Sequence, residues 1–372
     1  MQRVKTLKIQ AAECRLPLPR PIRLGPVSIT TRDVVVLRIT TDSGLEGDAL
    51  GYTRGTPLLE TIRHLGHHFI GVNPLERVSV INDFRRSLVN GAPGLVRAIS
   101  LFDIALTDLA AKSLELPLFR LLGGGRTRIP ALAVAGYYLN ERSIASVRDE
   151  VAALMDQGFT RAKVMLAGGA PASDAKLVEA SFDAAHKMLA ADAHWSWRTV
   201  PEALETCRLL DDIGLIFLED PFGPNMASHL ARLQSFLKTP LAAGEDSPDI
   251  DALFAISKAA AILRVDATTC GGITAAGAAI HAAGLQGCEV FPHVHHYLHA
   301  QLAGAFPEIR FVEIIPEATA ADPTHLLLQR IPRIEEGSIV LDEEPGAGTN
   351  LNWASVENFS VNTVVLQCAA VA

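Results

Sequence analysis

Apolar and polar positions change rhythm twice along this chain. Over 4–11 and 34–41 apolar residues run in short strand-like stretches, and Asp42-Ser43-Gly44 closes the second, so the pattern predicts a hairpin-rich start. From about Thr56 to Leu122 the spacing becomes helical. Within it, 98–112 sets Ile99, Leu101, Phe102, Ala105, Leu106 and Leu109 on one broad apolar face, which predicts a helix buried on most sides. Gly123-Gly124-Gly125 and then Ile129-Pro130 punctuate the chain. Beyond them short apolar runs at 131–135, 161–166, 188–192, 216–219, 241–244, 262–265, 289–291 and 310–313 alternate with amphipathic stretches such as 144–157, 201–213, 250–259 and 274–283. Repeated βα units predict a parallel sheet, and eight of them favour a closed barrel over a doubly wound sheet.

The reading is therefore α/β, with a modified (β/α)8, TIM-like barrel over 128–340 and a smaller α+β lobe over 1–127. A strand-like tail, 341–372, is expected to return to that lobe. A chain of 372 residues suits one barrel and one lobe. With 49% apolar and 20% charged residues it has the balance of a compact protein. Thirty-three basic against forty-one acidic residues give a net charge of -8, with no Lys/Arg run, so nucleic acid is not an expected partner. Cys14, Cys207, Cys270, Cys288 and Cys368 are odd in number and far apart, against both a disulfide framework and a thiolate zinc site. Arg3, Lys5, Lys8 and Glu13 interrupt any signal-like apolar core, and no stretch long enough for a membrane span follows. A cytoplasmic protein is expected.

The chemistry gathers at the predicted strand ends. Lys163, Asp192, Glu219, Glu245, Asp266, His293 and Glu313 each fall at or just past the C-terminal end of a strand, which is the rim where a barrel assembles its active site. Any one of these acids alone reads as a helix cap. Asp192, Glu219 and Glu245 on three successive strands read instead as oxygen ligands for one Mg²⁺, with part of the coordination shell left for water and substrate.

Those residues also carry a resemblance. Lys163-Val164-Met165, Asp192-Ala193-His194, Leu218-Glu219-Asp220-Pro221, Gly244-Glu245-Asp246, Asp266 with Gly271-Gly272-Ile273-Thr274, Phe291-Pro292-His293 and Val312-Glu313 resemble, in order and spacing, the enolase superfamily and its mandelate racemase branch. The run from Asp103 to Asp108, with Leu121 to Gly124, is similar to that family's capping-lobe motif, and Pro345-Gly346-Ala347-Gly348 to its C-terminal signature. The resemblance implies a capping domain over the barrel and a small carboxylate substrate bound to Mg²⁺. It also implies removal of the proton next to that carboxylate, in an even-numbered homo-oligomer between dimer and octamer. A Lys or His base working with Mg²⁺ is the general pattern of these enzymes. Residue by residue it implies His293 as base, Asp266 as its orienting partner, Lys163 on the substrate carboxylate or the enediolate, and Glu313 as a protonated donor to the enediolate oxygen. Asp220, Asp246 and Arg264 are implied to orient the ligands.

Two positions depart from the commonest pattern. Met165 stands where a second lysine, the opposite-face base, is usual, and methionine takes no proton. His194 makes an Asp-x-His that looks like the D-galactonate and D-mannonate dehydratases, where the histidine protonates the leaving hydroxyl. Together they point to a Mg²⁺-dependent dehydratase of a sugar acid, an aldonate or aldarate, giving a 2-keto-3-deoxy acid. The alternatives are a one-base isomerase, epimerase or cycloisomerase, and a non-catalytic metal- or ligand-binding relative. His295, His296 and His299 read as structural. Loops over 16–25 and 51–56 are expected to close the mouth, with Arg20, Arg23, Tyr52 and Arg54 as candidate substrate contacts.

Overall fold

A computed structural model describes residues 4–87 and 92–367; Arg3 and Cys368, named above, lie outside them. The first lobe is built on an antiparallel sheet of β1 (Thr6–Leu24), β2 (Val27–Thr41) and β3 (Glu46–Tyr52). The predicted strand over 4–11 continues to Leu24, so 16–25 is one arm of a long hairpin and not a loop. Pro17, Pro19 and Pro21 hid it, because prolines weaken a strand pattern. They are tolerated because β1 has only one neighbour beyond Cys14, and its register with β2 shifts between Pro17 and Ile22. The hairpin still reaches the barrel: Ile22 is fully buried among the interior side chains Leu132, Val134, Ala190 and Phe291.

Helices α1 (Leu58–Leu65), α2 (Arg77–Ser87), α3 (Ala92–Ser113) and α4 (Leu118–Leu121) complete this stretch. The predicted helix over 98–112 lies inside α3, and its apolar face is buried as expected. The barrel then runs β4 (Arg128–Ala135), α5 (Ile144–Asp156), β5 (Ala162–Met165), α6 (Pro171–Ala184), β6 (Leu189–Asp192), α7 (Val200–Leu210), β7 (Leu218–Glu219) and α8 (Ala227–Gln234). It continues with β8 (Leu241–Ala243), α9 (Ile250–Ser257), β9 (Ile262–Val265), α10 (Gly272–Leu285), β10 (Glu289–Pro292), α11 (His296–Ala305) and β11 (Val312–Ile314). All eight predicted strands are present. They pair in parallel in the order β11-β4-β5-β6-β7-β8-β9-β10, and a parallel bridge between Val290 and Ile309 joins the ends into a closed (β/α)8 barrel. A hairpin of β12 (Arg333–Glu335) and β13 (Ser338–Val340) pairs antiparallel with the start of β4. The tail returns through α12 (Trp353–Phe359) and β14 (Ser360–Gln367), which pairs with β1. Among the described residues no helix is long and apolar enough to cross a membrane.

Buried carboxylates lock the first lobe and the tail to the barrel. Asp103 on α3 accepts from Thr274 N (3.0 Å) and Thr274 Oγ1 (2.7 Å) at the start of α10. Gly272 permits that approach: its φ is +90°, and a Cβ there would meet Asp103 Oδ2 at 2.3 Å. One turn on, Asp108 accepts from Asp48 N (2.9 Å), Ala347 N (2.7 Å) and Lys112 Nζ (2.7 Å), so one carboxylate joins α3, β3 and the tail. Removing a buried acceptor strands its donors at about 1–3 kcal/mol each. Asp108→Ala is therefore expected to lose at least about 2 kcal/mol in urea unfolding. A loss within about 0.5 kcal/mol would show that the tail is held by other contacts.

Candidate active site

Side chains alternate along a strand, so a charged residue two positions beyond an interior aromatic sits one layer higher on the same face. Phe217 is followed in this way by Glu219, Phe291 by His293 and Phe311 by Glu313, and all of them are buried. Met165, Asp192 and Glu219 are direct cross-strand neighbours at the ends of β5, β6 and β7. Glu245 lies three positions beyond the interior Ala242, out of phase with this alternation. Gly244 intervenes with φ +131°, and a Cβ on it would meet Arg264 O at 2.7 Å.

Two cations stand among these acids. Lys163 Nζ lies 3.0 Å from Asp192 Oδ2, 2.9 Å from Glu219 Oε2 and 2.6 Å from Glu313 Oε1. Arg264, with no exposed surface, donates through Nε to Glu219 Oε1 (2.9 Å), bonds Glu313 Oε2, and reaches the carbonyls of Phe291 (3.2 Å) and Pro292 (2.9 Å). Burial pushes Glu219 up to about 7 against the pull of Arg264 and Lys163. Burial and mutual repulsion hold Asp220 and Glu245 well above the usual carboxylate range. Burial also opposes ionisation of Asp192 and Glu313, but Lys163 in the first case, and Arg264 with Lys163 in the second, outweigh it and keep both below their ordinary values. Two cations converge on Glu313 and favour its anionic form, which works against the protonated donor implied by the resemblance.

The donor set suits a hard divalent cation. Glu219, Asp220 and Glu245 are buried and offer oxygens within 4.8 Å of one another, and added positive charge would relieve the repulsion that helps raise the pKa of Asp220 and Glu245. Asp192, expected in the trio, stands beside this set: its Oδ1 accepts from His194 N (2.9 Å), and its Oδ2 faces Lys163, the cation that also contacts Glu219.

Across the mouth, His293 Nδ1 lies 2.9 Å from Asp266 Oδ2, while Nε2 is 3.4 Å from Glu245 Oε2. The other Asp266 oxygen accepts from Thr268 N and Oγ1, each at 2.7 Å. Burial lowers the His293 pKa despite Asp266, so its imidazole is neutral at neutral pH with Nε2 free to accept a proton. His194 is also buried; its ring stacks on Trp195 at 4.5 Å and its Nε2 has no hydrogen-bond partner among the described residues. Burial pushes it down to about 4.

These groups line a narrow recess with Met165, Asp192, Lys163 and Glu313, which opens into a cavity of about 570 Å³ beneath the hairpin. Arg32, Tyr52, Arg54 and His194 border both spaces. Of the expected substrate contacts, Tyr52 and Arg54 are therefore at the mouth, Arg54 lying 3.4 Å from Glu245 Oε1 and 3.6 Å from Asp246 Oδ1. Arg20 is not: it pairs with Glu141 at 2.8 Å and borders a separate hollow with Tyr137 and Tyr138. Arg23 is exposed and borders neither space. Arg32 and Arg97 were missed. Arg32, on β2, donates to Ala321 O (2.8 Å), and Arg97, on α3, pairs with Asp246. Only an Arg-Asp pair just ahead of the apolar run 34–37 marked Arg32 in the sequence.

Comparison with known proteins fits this geometry. Residues 7–123 match the family described as mandelate racemase / muconate lactonizing enzyme, N-terminal domain, and residues 146–355 match the one described as enolase C-terminal domain-like. The chain belongs to the mandelate racemase/muconate lactonizing enzyme family of the enolase superfamily. Among relatives, an arabinonate dehydratase of Saccharolobus solfataricus is 25% identical over 88% of this chain and 90% of its own. An L-Lys-D/L-Arg epimerase of Methylococcus capsulatus is 26% identical over 93% and 99%. The structure of L-talarate/galactarate dehydratase from Salmonella typhimurium superposes with a TM-score of 0.89 at 21% identity, covering 99% of this chain and 94% of that one. An L-talarate dehydratase from Polaromonas, complexed with Mg and L-glucarate, gives 0.85 at 23% over 98% and 100%. This family member thus has relatives of more than one reaction type.

Beside the mouth, His295 is 2% exposed, its Nδ1 is 3.0 Å from Tyr297 Oη, and its ring is 4.8 Å from that of Tyr52. Burial pushes it down to about 4. An unfolded imidazole takes its proton near 6.5, so between these values the unfolded chain binds more protons than the folded one. Stability contributed by neutral His295 is complete above about pH 6.5 and falls as pH drops toward 4. Urea unfolding at pH 7 and pH 5 should show the wild type losing about 2 kcal/mol more than His295→Gln, and equal losses would mean that the ring takes up a proton freely when folded.

Proposed function

We propose that this protein is a Mg²⁺-dependent dehydratase of a sugar acid, an aldonate or aldarate, forming a 2-keto-3-deoxy acid. The observation that carries the reading is the asymmetry of the recess: a complete His293–Asp266 pair, Met165 where a second base would stand, and the unpartnered imidazole nitrogen of His194 in the same lining. Relatives named dehydratases and epimerases match at similar identity and do not choose between the two.

Asp192, Glu219 and Glu245 would hold the cation, which supplies positive charge beside the substrate carboxylate and so lowers the cost of charge building there. His293 Nε2 takes the α-proton, and Asp266 stabilises the imidazolium that results. Lys163 contacts the substrate carboxylate or the enediolate. His194 delivers a proton to the β-hydroxyl, which departs as water, and the enol left behind becomes the 2-keto acid. A buried imidazole at about 4 carries no spare proton in the free enzyme, so that proton must be taken up with the anionic substrate.

A second reading draws on the same ring. Stacked on Trp195 and neutral, His194 could serve as a substrate contact only, with His293 driving a one-base isomerisation, epimerisation or cycloisomerisation.

The test is a panel of aldonates and aldarates in D2O, followed for 2-keto acid and for α-deuterium, with and without EDTA. The expected result is metal-dependent 2-keto acid, lost by about 10²-fold or more in His293→Asn. His194→Asn is expected to keep α-exchange while losing dehydration. Exchange in the wild type with the hydroxyl retained would move the assignment to the second reading, and activity unaffected by EDTA would sink both.

The ligand set has its own check in calorimetric Mg²⁺ titration. Asp192→Asn and Glu219→Gln are expected to weaken binding at least about tenfold and Asp220→Asn much less, because removal of a direct oxygen ligand costs more than loss of a neighbour. The reverse order would put Asp220 in the shell in place of Asp192.

A further inference from the structure

The chain bends sharply after β10. Val294 and His295 have φ values of +34° and +41°, a region that a β-branched residue rarely enters. Such a bend persists only where its surroundings impose it. Here one side chain holds the bend from the α11 side. His299, on the first turn of α11 and with no exposed surface, places Nδ1 2.8 Å from Val294 O, while its Nε2 accepts from Ala267 N at 3.1 Å.

Ala267 directly follows Asp266, and Val294 directly follows His293. One imidazole therefore ties together the residues just beyond both members of the candidate base pair, one at the end of β9 and one at the end of β10. A carbonyl only accepts and an amide N–H only donates, so both bonds require a proton on Nδ1 and a lone pair on Nε2. Protonated, the ring forfeits the bond from Ala267 N; in the other tautomer it forfeits both.

We propose that His299 is a positioning residue: locked as the neutral Nδ1–H tautomer, it fixes the β9 and β10 ends so that Asp266 and His293 meet in register. The same bend aims Val294 N at Glu313 Oε2 (3.2 Å), so the clamp reaches the acid on β11 as well. Asp266 is also held by Thr268, and His293 N donates to Val265 O (2.9 Å), so His299 adds the tie just beyond the point where the β9–β10 ladder ends. His299 touches no space open to substrate and acts only through the pair it spaces.

The experiment uses the full chain labelled with ¹⁵N-histidine. The His299 ring, assigned by its loss in His299→Leu, is expected as the Nδ1–H tautomer, and an Nε2–H tautomer overturns the proposal. The Nδ1–H resonance of His293, assigned by its loss in His293→Asn, is expected to move or to exchange with water about tenfold faster or more in His299→Leu. The same resonance unchanged in a folded His299→Leu protein also overturns it. His299→Asn keeps a donor for Val294 and His299→Gln an acceptor for Ala267. Both are expected to fall between wild type and Leu, and they carry the test if the Leu variant does not fold.

A kinetic arm rests on the dehydratase reading. With a sugar acid turned over in the panel, His299→Leu should lower kcat about tenfold or more while KM and Mg²⁺ affinity stay within about twofold. A loss confined to KM counts against positioning. A protein that turns over no sugar acid sinks the dehydratase reading, whereas the tautomer and the His293 resonance still decide this one.

Discussion

The barrel mouth depends on Lys163 and Arg264. Asp192, Glu219, Asp220, Glu245 and Glu313 are buried within a few ångströms of one another, and two like charges about 4 Å apart repel by roughly 4 kcal/mol even at the screening typical of protein surfaces. Lys163 touches three of the five and Arg264 bonds two, so Glu219 and Glu313 are gripped by both. Removal of either cation would leave buried anions unpaired, the costly way to break such a cluster. The balance is deliberately incomplete in electrostatic terms. Five acids against two central cations leave a surplus that burial turns into raised pKa values at Glu245 and Asp220, and such a site favours a dication over further protons.

The rest of the fold serves to hold that cluster still. A parallel barrel brings the strand ends to one rim, and alternation, broken only at Gly244-Glu245 among the metal-site acids, places the charged layer above a layer of Phe217, Phe291 and Phe311. Arg264 joins the two layers, since its guanidinium lies over the Phe291 ring at 4.2 Å while it reaches up to the acids. The first lobe closes the top. Its hairpin puts Ile22 onto the barrel interior and Arg32 at the neck, where Tyr52 and Arg54 arrive from the end of β3, and the Asp103 and Asp108 clasps tie α3 to the barrel and the tail.

The regular parts of this plan were legible in the sequence, because eight apolar runs at even spacing have few alternative explanations and the acids fell at their ends. The irregular parts were not. Three prolines concealed half of β1, since the rule that prolines interrupt strands has an exception where a neighbour is missing, and pairing partners are invisible in one dimension. Arg32 and Arg97 come from elements whose faces only tertiary packing orients, and Arg20 and Arg23 show the converse, charges near the right segment but turned away. Glu313 was identifiable as a site acid, but its protonation depends on Lys163 and Arg264 converging from other strands. His299 looked structural in the sequence, and only its two hydrogen-bond partners link it to the base pair.

The asymmetry of the recess bears on reaction type more than any single residue does. Returning a proton to the opposite face of a planar intermediate needs a second group able to carry one. On the side of β4 and β5 the recess offers Met165, Lys163 and Tyr137. Methionine cannot serve, and Lys163 is committed as an ammonium by three carboxylates that hold its pKa well above the ordinary value against burial. Burial likewise pushes the Tyr137 phenol up, which makes it a reluctant acid and rules it out as a base near neutral pH. An intermediate formed by His293 is then drained most readily through a bond that breaks elsewhere in the substrate. On the proposed dehydratase reading, a departing β-hydroxyl needs only one proton donor at the mouth, and His194, whose pKa burial lowers in the free protein, would take up that proton together with the anionic substrate.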